Sequence, residues 1–201
     1  MRRTPLLLSV AITIGLVAVF MLIVPQIAFG AACTWTGTTS TVWTDPTNWS
    51  GCGGVAPSTA DSVTIVNVVN KPILAASTSV VGLTVNGGAT LTIPATVTIT
   101  ATGDINNGAI ITGTGKLTFS GATFTNNGTV SVAQTNFSGT TQSMAGAGEW
   151  VGAVRVMAGA TTSLDTNGNF RRSLTIETGG TAQISPYYYL LCTSDACRRR
   201  G

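Results

Sequence analysis

Short triplets of apolar, polar and apolar residues recur along this chain: Val63-Thr64-Ile65, Leu83-Thr84-Val85, Leu91-Thr92-Ile93, Val97-Thr98-Ile99, Leu117-Thr118-Phe119, Val130-Ser131-Val132, Val154-Arg155-Val156 and Leu174-Thr175-Ile176. A period of two puts the outer members of each triplet on one face of a strand and the Thr, Ser or Arg on the other. Three longer segments align without a gap: LTVNGGATLTI from Leu83, VRVMAGATTSL from Val154 and LTIETGGTAQI from Leu174, with LTFSGATFTNNGTVSV from Leu117 as a shorter relative. The unit is strand, four-residue turn, strand. No segment after residue 30 has a competing helical period.

A glycine recurs every twenty residues, at Gly88, Gly108, Gly128, Gly148 and Gly168, preceded by Asn at Asn107, Asn127 and Asn167. Units this short cannot bury an apolar face alone, so they must stack, Val on Val and Thr on Thr, about 4.8 Å apart. The pattern predicts an all-β fold, a right-handed parallel β-helix of five or six rungs of roughly 20 residues, running from about Asp61 to Ile184. An antiparallel sandwich also spaces its strands regularly, but it predicts no fixed long period.

The N-terminus adds an export signal. Arg2 and Arg3 precede a charge-free apolar run from Leu6 to Val24, then Pro25 and the small residues Ala28, Gly30, Ala31 and Ala32. This is the order of a secretory leader, although the run approaches the roughly 20 residues that span a bilayer. Residues 1–32 are therefore expected to be a signal peptide or a signal-anchor helix, touching membrane only through 6–24 if the leader is kept. Either way the remainder lies outside the cytoplasm. Gly30-Ala31-Ala32-Cys33 also resembles a lipoprotein box, with Gly where Leu or Val is usual.

Without the leader, the composition changes meaning. The formal charge of +3 belongs to the two ends, since from Cys33 onward the bases outnumber the acids only by eight to seven. No nucleic-acid surface is expected. The four cysteines suit an oxidising compartment, and proximity pairs Cys33 with Cys52 and Cys192 with Cys197, one of three possible connectivities. Four thiols in two distant pairs, without CxxC spacing or any His, make a poor zinc set.

The segment from Cys33 to Ile65 is of another kind, with Trp35, Trp43 and Trp49 among Asn48, Gly51, Pro57 and Asp61. The pattern W-x-G, W, N-W-S-G, P, D-x-V-x-I resembles the segment that precedes β-helical repeats in large bacterial surface proteins of the autotransporter and filamentous-haemagglutinin-like adhesin kind. That resemblance implies an exported, repetitive β-helix at the cell surface. Physically, 33–60 reads as a tryptophan-rich, disulfide-closed cap on an open solenoid end, 61–186 as the repeats, and 187–201 as a tail, a second cap or a truncated reading frame. The competing reading of the tryptophans is as stacking platforms for sugar rings.

Catalysis finds little support. With no His, a His-dependent triad is excluded. The acids are dispersed, and the densest polar cluster is Asp165 with Asn167, near Arg171 and Arg172. A polysaccharide-processing enzyme would need Asp165, Glu177 and Arg171 to meet in a groove. An ice-binding face would need ranked Thr columns, for which Thr96, Thr98, Thr100 and Thr102 are the candidates. No catalytic, cofactor-binding or metal-binding residue is assigned, and no cofactor is expected. The sequence thus predicts an exported, non-catalytic structural or adhesive surface protein, its partners glycans or other cell-envelope components.

Overall fold

The computed structural model describes residues 30–165, 169–184, 191–192 and 197–199, with backbone only for 184, 191–192 and 197–199. The chain winds as an all-β parallel solenoid of about six turns. Each turn passes through three sheets in the same order. The first contains Ala32–Trp35, Ser62–Ile65, Leu83–Val85, Ile105–Asn107, Thr123–Asn126, Gln142–Ala145, Thr161–Asp165 and Thr181–Ile184, all parallel. The second runs from Thr90–Thr92 to Leu191–Cys192, and the third from Thr78–Val80 to Cys197–Arg199. No helix among the described residues is long and apolar enough to cross a membrane; of the leader expected over residues 1–32, residues 1–29 lie outside them, and Ala32 opens the first strand.

Alternation determines the core. The outer members of seven triplets are buried, from Val63 and Ile65 to Val154 and Val156; in the eighth, Leu174 is buried and Ile176 only partly. Leu83, Val154 and Leu174 all point into this one core. In the first rungs the filling is aliphatic, with Leu83, Leu91, Ile99, Ile105 and Ile111. Further along it becomes aromatic: Trp150 lies 4.8 Å from Phe124, 5.9 Å from Phe137 and 6.2 Å from Phe170, centroid to centroid. The Phe124 contact is edge-to-face and the Phe170 contact stacked, and aromatic pairs in such arrangements add to the burial itself.

Two features of the expected register are corrected. Only two of the three aligned copies stack on one another: Val154 pairs with Leu174 in the third sheet, whereas Leu83–Val85 lies in the first. Any strand-turn-strand corner needs the same local pattern, so the likeness of these segments reports a corner, not which corner. The glycine spacing also slips. In the first sheet Val63 pairs with Leu83, Leu83 with Ile105, and Ile105 with Phe124, steps of 20, 22 and 19 residues.

The short rung shifts the clock by one column. Thr129 N–H donates to the Ala109 carbonyl and Glu149 N–H to the Gly128 carbonyl, so Gly128 stacks on Ala109 rather than on Gly108, and Gly148 stacks on Gly128. A Cβ on Gly128 would lie 1.9 Å from the Ala109 oxygen, and one on Gly148 would lie 2.3 Å from the Gly128 oxygen. Glycine is required there because successive rungs touch backbone to backbone.

The segment before the repeats joins the same sheet. Ala32–Trp35 pairs in parallel with Ser62–Ile65, and Trp49–Ser50 closes the sheet antiparallel. Between them a single 3-10 turn, Pro46–Asn48, is capped by Asp45, whose side chain accepts from Thr47 N–H. Trp49 packs edge-on between Trp35 at 4.9 Å and Trp43 at 4.7 Å. All three are buried, Trp35 completely, so none offers a flat face to a sugar ring. Cys33 and Cys52 are bonded to each other. Attachment of a lipid to the Cys33 sulfur is therefore overturned, since that sulfur is already bonded. Cys192 and Cys197 fall on strands of the second and third sheets, and their pairing lies outside the described side chains.

Candidate functional site

The three residues that a polysaccharide-processing site would need do not converge. Asp165 faces outward on the first sheet, where its carboxylate accepts from Ser143 and Ser163 hydroxyls, each at 2.9 Å. Arg171 follows a second-sheet strand and donates to Glu149 at 2.5 Å, an interaction that holds its guanidinium above the ordinary value. Glu177 follows a third-sheet strand and pairs with Arg155 at 2.5 Å. Arg171 and Glu177 are thus matched by opposite charges on adjacent rungs, and Asp165 by serine hydroxyls, as structural contacts on a solenoid surface are. Asn167 lies outside the described residues.

Other carboxylates are tuned the wrong way for acid catalysis. Hydrogen bonds from the Thr47 side chain and backbone hold Asp45 below the usual carboxylate range. Asp61 is held low too, chiefly by the Ser58 backbone N–H, with Ser58 hydroxyl and Ala31 N–H assisting. A general acid near neutral pH needs its carboxyl pushed up. Among the described residues no cluster of three or more His, Cys, Asp or Glu could hold a metal ion.

The threonine ladder is broken as well. Thr98 and Thr100 face outward on the third sheet, but Thr96 sits in a turn at φ 66°. Across rungs Thr100 stacks on Thr118, then Asn136, then Arg155, so the column does not continue as threonine.

What the corner between first and second sheets does build is a groove of about 200 Å³. Thr84, Asn106 and Thr125 are consecutive outward positions in register. Beside them the turns bring Asn86 and Asn127, while Gly87 and Gly108 leave the floor bare of side chains. Asn86, Asn106 and Asn127 are exposed, and among the described residues no protein group takes the side-chain amides of Asn86 or Asn106. The lining carries no charge. Neutral amides and hydroxyls offer donors and acceptors together, which suits a polyhydroxylated ligand and not a phosphate.

Behind the groove lies an inward amide ladder. Asn107 donates to the Asn126 side-chain oxygen at 2.8 Å, and that oxygen also accepts from Gly128 N–H. Asn126 in turn donates to the Glu149 carbonyl at 3.1 Å. The equivalent of Asn107 is thus Asn126, while Asn127 is outside, accepting from Ala147 N–H. Replacing Asn126 by alanine is expected to cost about 1–3 kcal/mol, because buried partners in two rungs lose their bonds. Urea unfolding measures it, and a cost below roughly 0.5 kcal/mol would show that the ladder is not structural.

Sequence reasoning used the asparagines only as turn markers. The signal that could have located the groove is Ile105-Asn106-Asn107, which breaks the apolar, polar, apolar rule at the inward position where an amide has replaced an aliphatic.

A parallel β-solenoid with locally paired charges and a neutral corner groove defines the class: a repetitive scaffold presenting surface. Residues 59–141 and 151–185 match the haemagglutinin repeat. These stretches cover more than half of the chain, and the chain belongs to the haemagglutinin-repeat family, whose adhesin-like, β-helical character its solenoid fits. The match falls on the repeats and begins beyond most of the tryptophan segment that carries the resemblance. No curated protein and no solved structure matches the chain.

Proposed function

We propose that this protein is an exported, non-catalytic adhesive or structural component of the cell surface, which contacts glycans of the envelope or its surroundings through the groove at Thr84, Asn86, Asn106, Thr125 and Asn127. Its winding is right-handed, because crossovers between parallel strands take that hand. Of the 1–32 segment expected as leader, the residues before Ala31 act as the leader or anchor, while Ala31 and Ala32 join the cap that runs to residue 60, followed by 61–186 as the repeat body and 187–201 as the tail. The observation that carries the reading is the unpaired, uncharged amide pair Asn86 and Asn106 on a haemagglutinin-repeat solenoid.

A glycan array probed with the protein, run beside depolymerisation assays on acidic polysaccharides, tests it. The expected result is saturable binding without turnover. Asn86→Ala with Asn106→Ala should weaken binding by roughly tenfold or more, since each lost hydrogen bond contributes about 0.5–1.5 kcal/mol. Asp165→Ala should leave it unchanged. Turnover abolished by Asp165→Ala would establish the rival polysaccharide-processing reading instead.

A further inference from the structure

The first described residues carry an arrangement that the surface role does not use. Ala31 N–H donates to the Asp61 carboxylate at 2.6 Å, and Asp61 is buried, only 7% exposed. Its other oxygen accepts from Ser58 N–H at 2.7 Å and from the Ser58 hydroxyl at 2.8 Å. The Ala31 carbonyl accepts from Ser62 N–H at 2.9 Å. Ala31 is therefore clamped on both sides of its backbone, and the group opposite its nitrogen is a buried anion to which no Lys or Arg among the described residues is bonded.

We infer that the leader is removed by hydrolysis of the Gly30–Ala31 peptide bond, and that the new N-terminal ammonium of Ala31 is the partner for which Asp61 is placed. The inference rests on the export reading above. Water is the co-reactant and a leader peptidase of the exporting cell the agent: the carbonyl carbon of Gly30 becomes a carboxylate, and the nitrogen of Ala31 leaves as an amine that is protonated at neutral pH. An ammonium facing a carboxylate at 2.6 Å is a charge-assisted bond, stronger than the amide bond it replaces.

Small residues at the third and first positions before a cut are what such a peptidase reads, and Ala28 and Gly30 supply them. The neighbouring junctions fit less well. A cut after Ala31 puts Phe29 at the third position. A cut after Ala32 has Gly30 and Ala32, but it removes the donor to Asp61 and the acceptor of Ser62, and it puts the charged terminus on Cys33, whose side chain is 1% exposed.

Gly30 itself supplies a discriminating variant. A Cβ there would lie 1.6 Å from the Ala60 carbonyl oxygen, so Gly30→Ala keeps a small residue for the peptidase yet cannot be accommodated by a folded chain that retains residue 30. The protein is recovered from the exporting cell's surface or medium, and its N-terminus is read by intact mass and terminal sequencing. A start at Ala31, with Gly30→Ala giving the same mass and the same melting temperature, is the expected result. A start at Cys33 or any other residue overturns the inference and leaves export standing. A protein at the cell surface that still begins at Met1 overturns the inference and leaves export standing through a retained anchor, whereas one found only in the cytoplasm overturns both.

The charge pair has its own readout. Asp61→Asn keeps an acceptor and removes the charge, and it should lower the melting temperature by about 2–4 °C more in the chain that begins at Ala31 than in one carrying extra residues before it. Equal shifts in the two forms would show that Asp61 serves the amide alone.

Discussion

Trp150→Ala is expected to destabilise the protein by about 3–5 kcal/mol, a large share of the roughly 5–15 kcal/mol that holds most domains folded. Trp150 is 1% exposed and touches aromatic rings from all three sheets, Phe124 in the first, Phe137 in the third and Phe170 in the next rung of the second. An alanine leaves a cavity that these rings cannot close, because each is also pinned to its own rung. A solenoid is held by contacts between neighbouring rungs, so the damage should begin locally. Hydrogen exchange should rise first in strands Thr129–Ser131 and Asn169–Phe170, which flank Glu149–Trp150. Trp150→Phe should recover part of the loss. A cost under about 1 kcal/mol in urea unfolding would mean that the aromatic run is not a packed core.

Opening the Cys33–Cys52 bond should cost about 3 kcal/mol, the scale for a loop of this size, given the sequence separation of 19. The effect should be concentrated at one end of the solenoid, because the bridge ties Ala32–Trp35 to the chain just after Trp49–Ser50. Trp35, Trp43 and Trp49 lie within that loop and pack on one another, so reductant should shift tryptophan emission to the red as they gain water. The Cys33→Ser, Cys52→Ser double variant should show the same emission without reductant. Melting curves that coincide with and without reductant would sink this expectation.

The strand faces were legible because alternation is a local property. Which side of Leu117-Thr118-Phe119 turns inward follows from the pleat alone, and the eight triplets needed no knowledge of their neighbours. The long period was legible too, since stacking demands that each turn of chain have nearly the same length. The pairing of Cys33 with Cys52 followed from their proximity along the chain. The groove was not legible, because its lining comes from three rungs, at Thr84, Asn106 and Thr125, whose adjacency exists only once the register is set.

By itself, then, the sequence determined the class of fold, the inward and outward positions, the approximate rung length and the first disulfide, all of which depend on residues close along the chain. Only the tertiary structure decided the register. A rung of 19 residues moved the glycine clock onto Ala109 and made Asn126 rather than Asn127 the partner of Asn107, and the winding placed the segments from Leu83 and Val154 on different sheets. It also separated Asp165, Arg171 and Glu177 and gave each a partner on the adjoining rung. The physical reason is the same in each case: backbone hydrogen bonds between rungs and the volume of core side chains choose the offset. One residue more or less in a turn changes every lateral neighbour while leaving the local pattern intact.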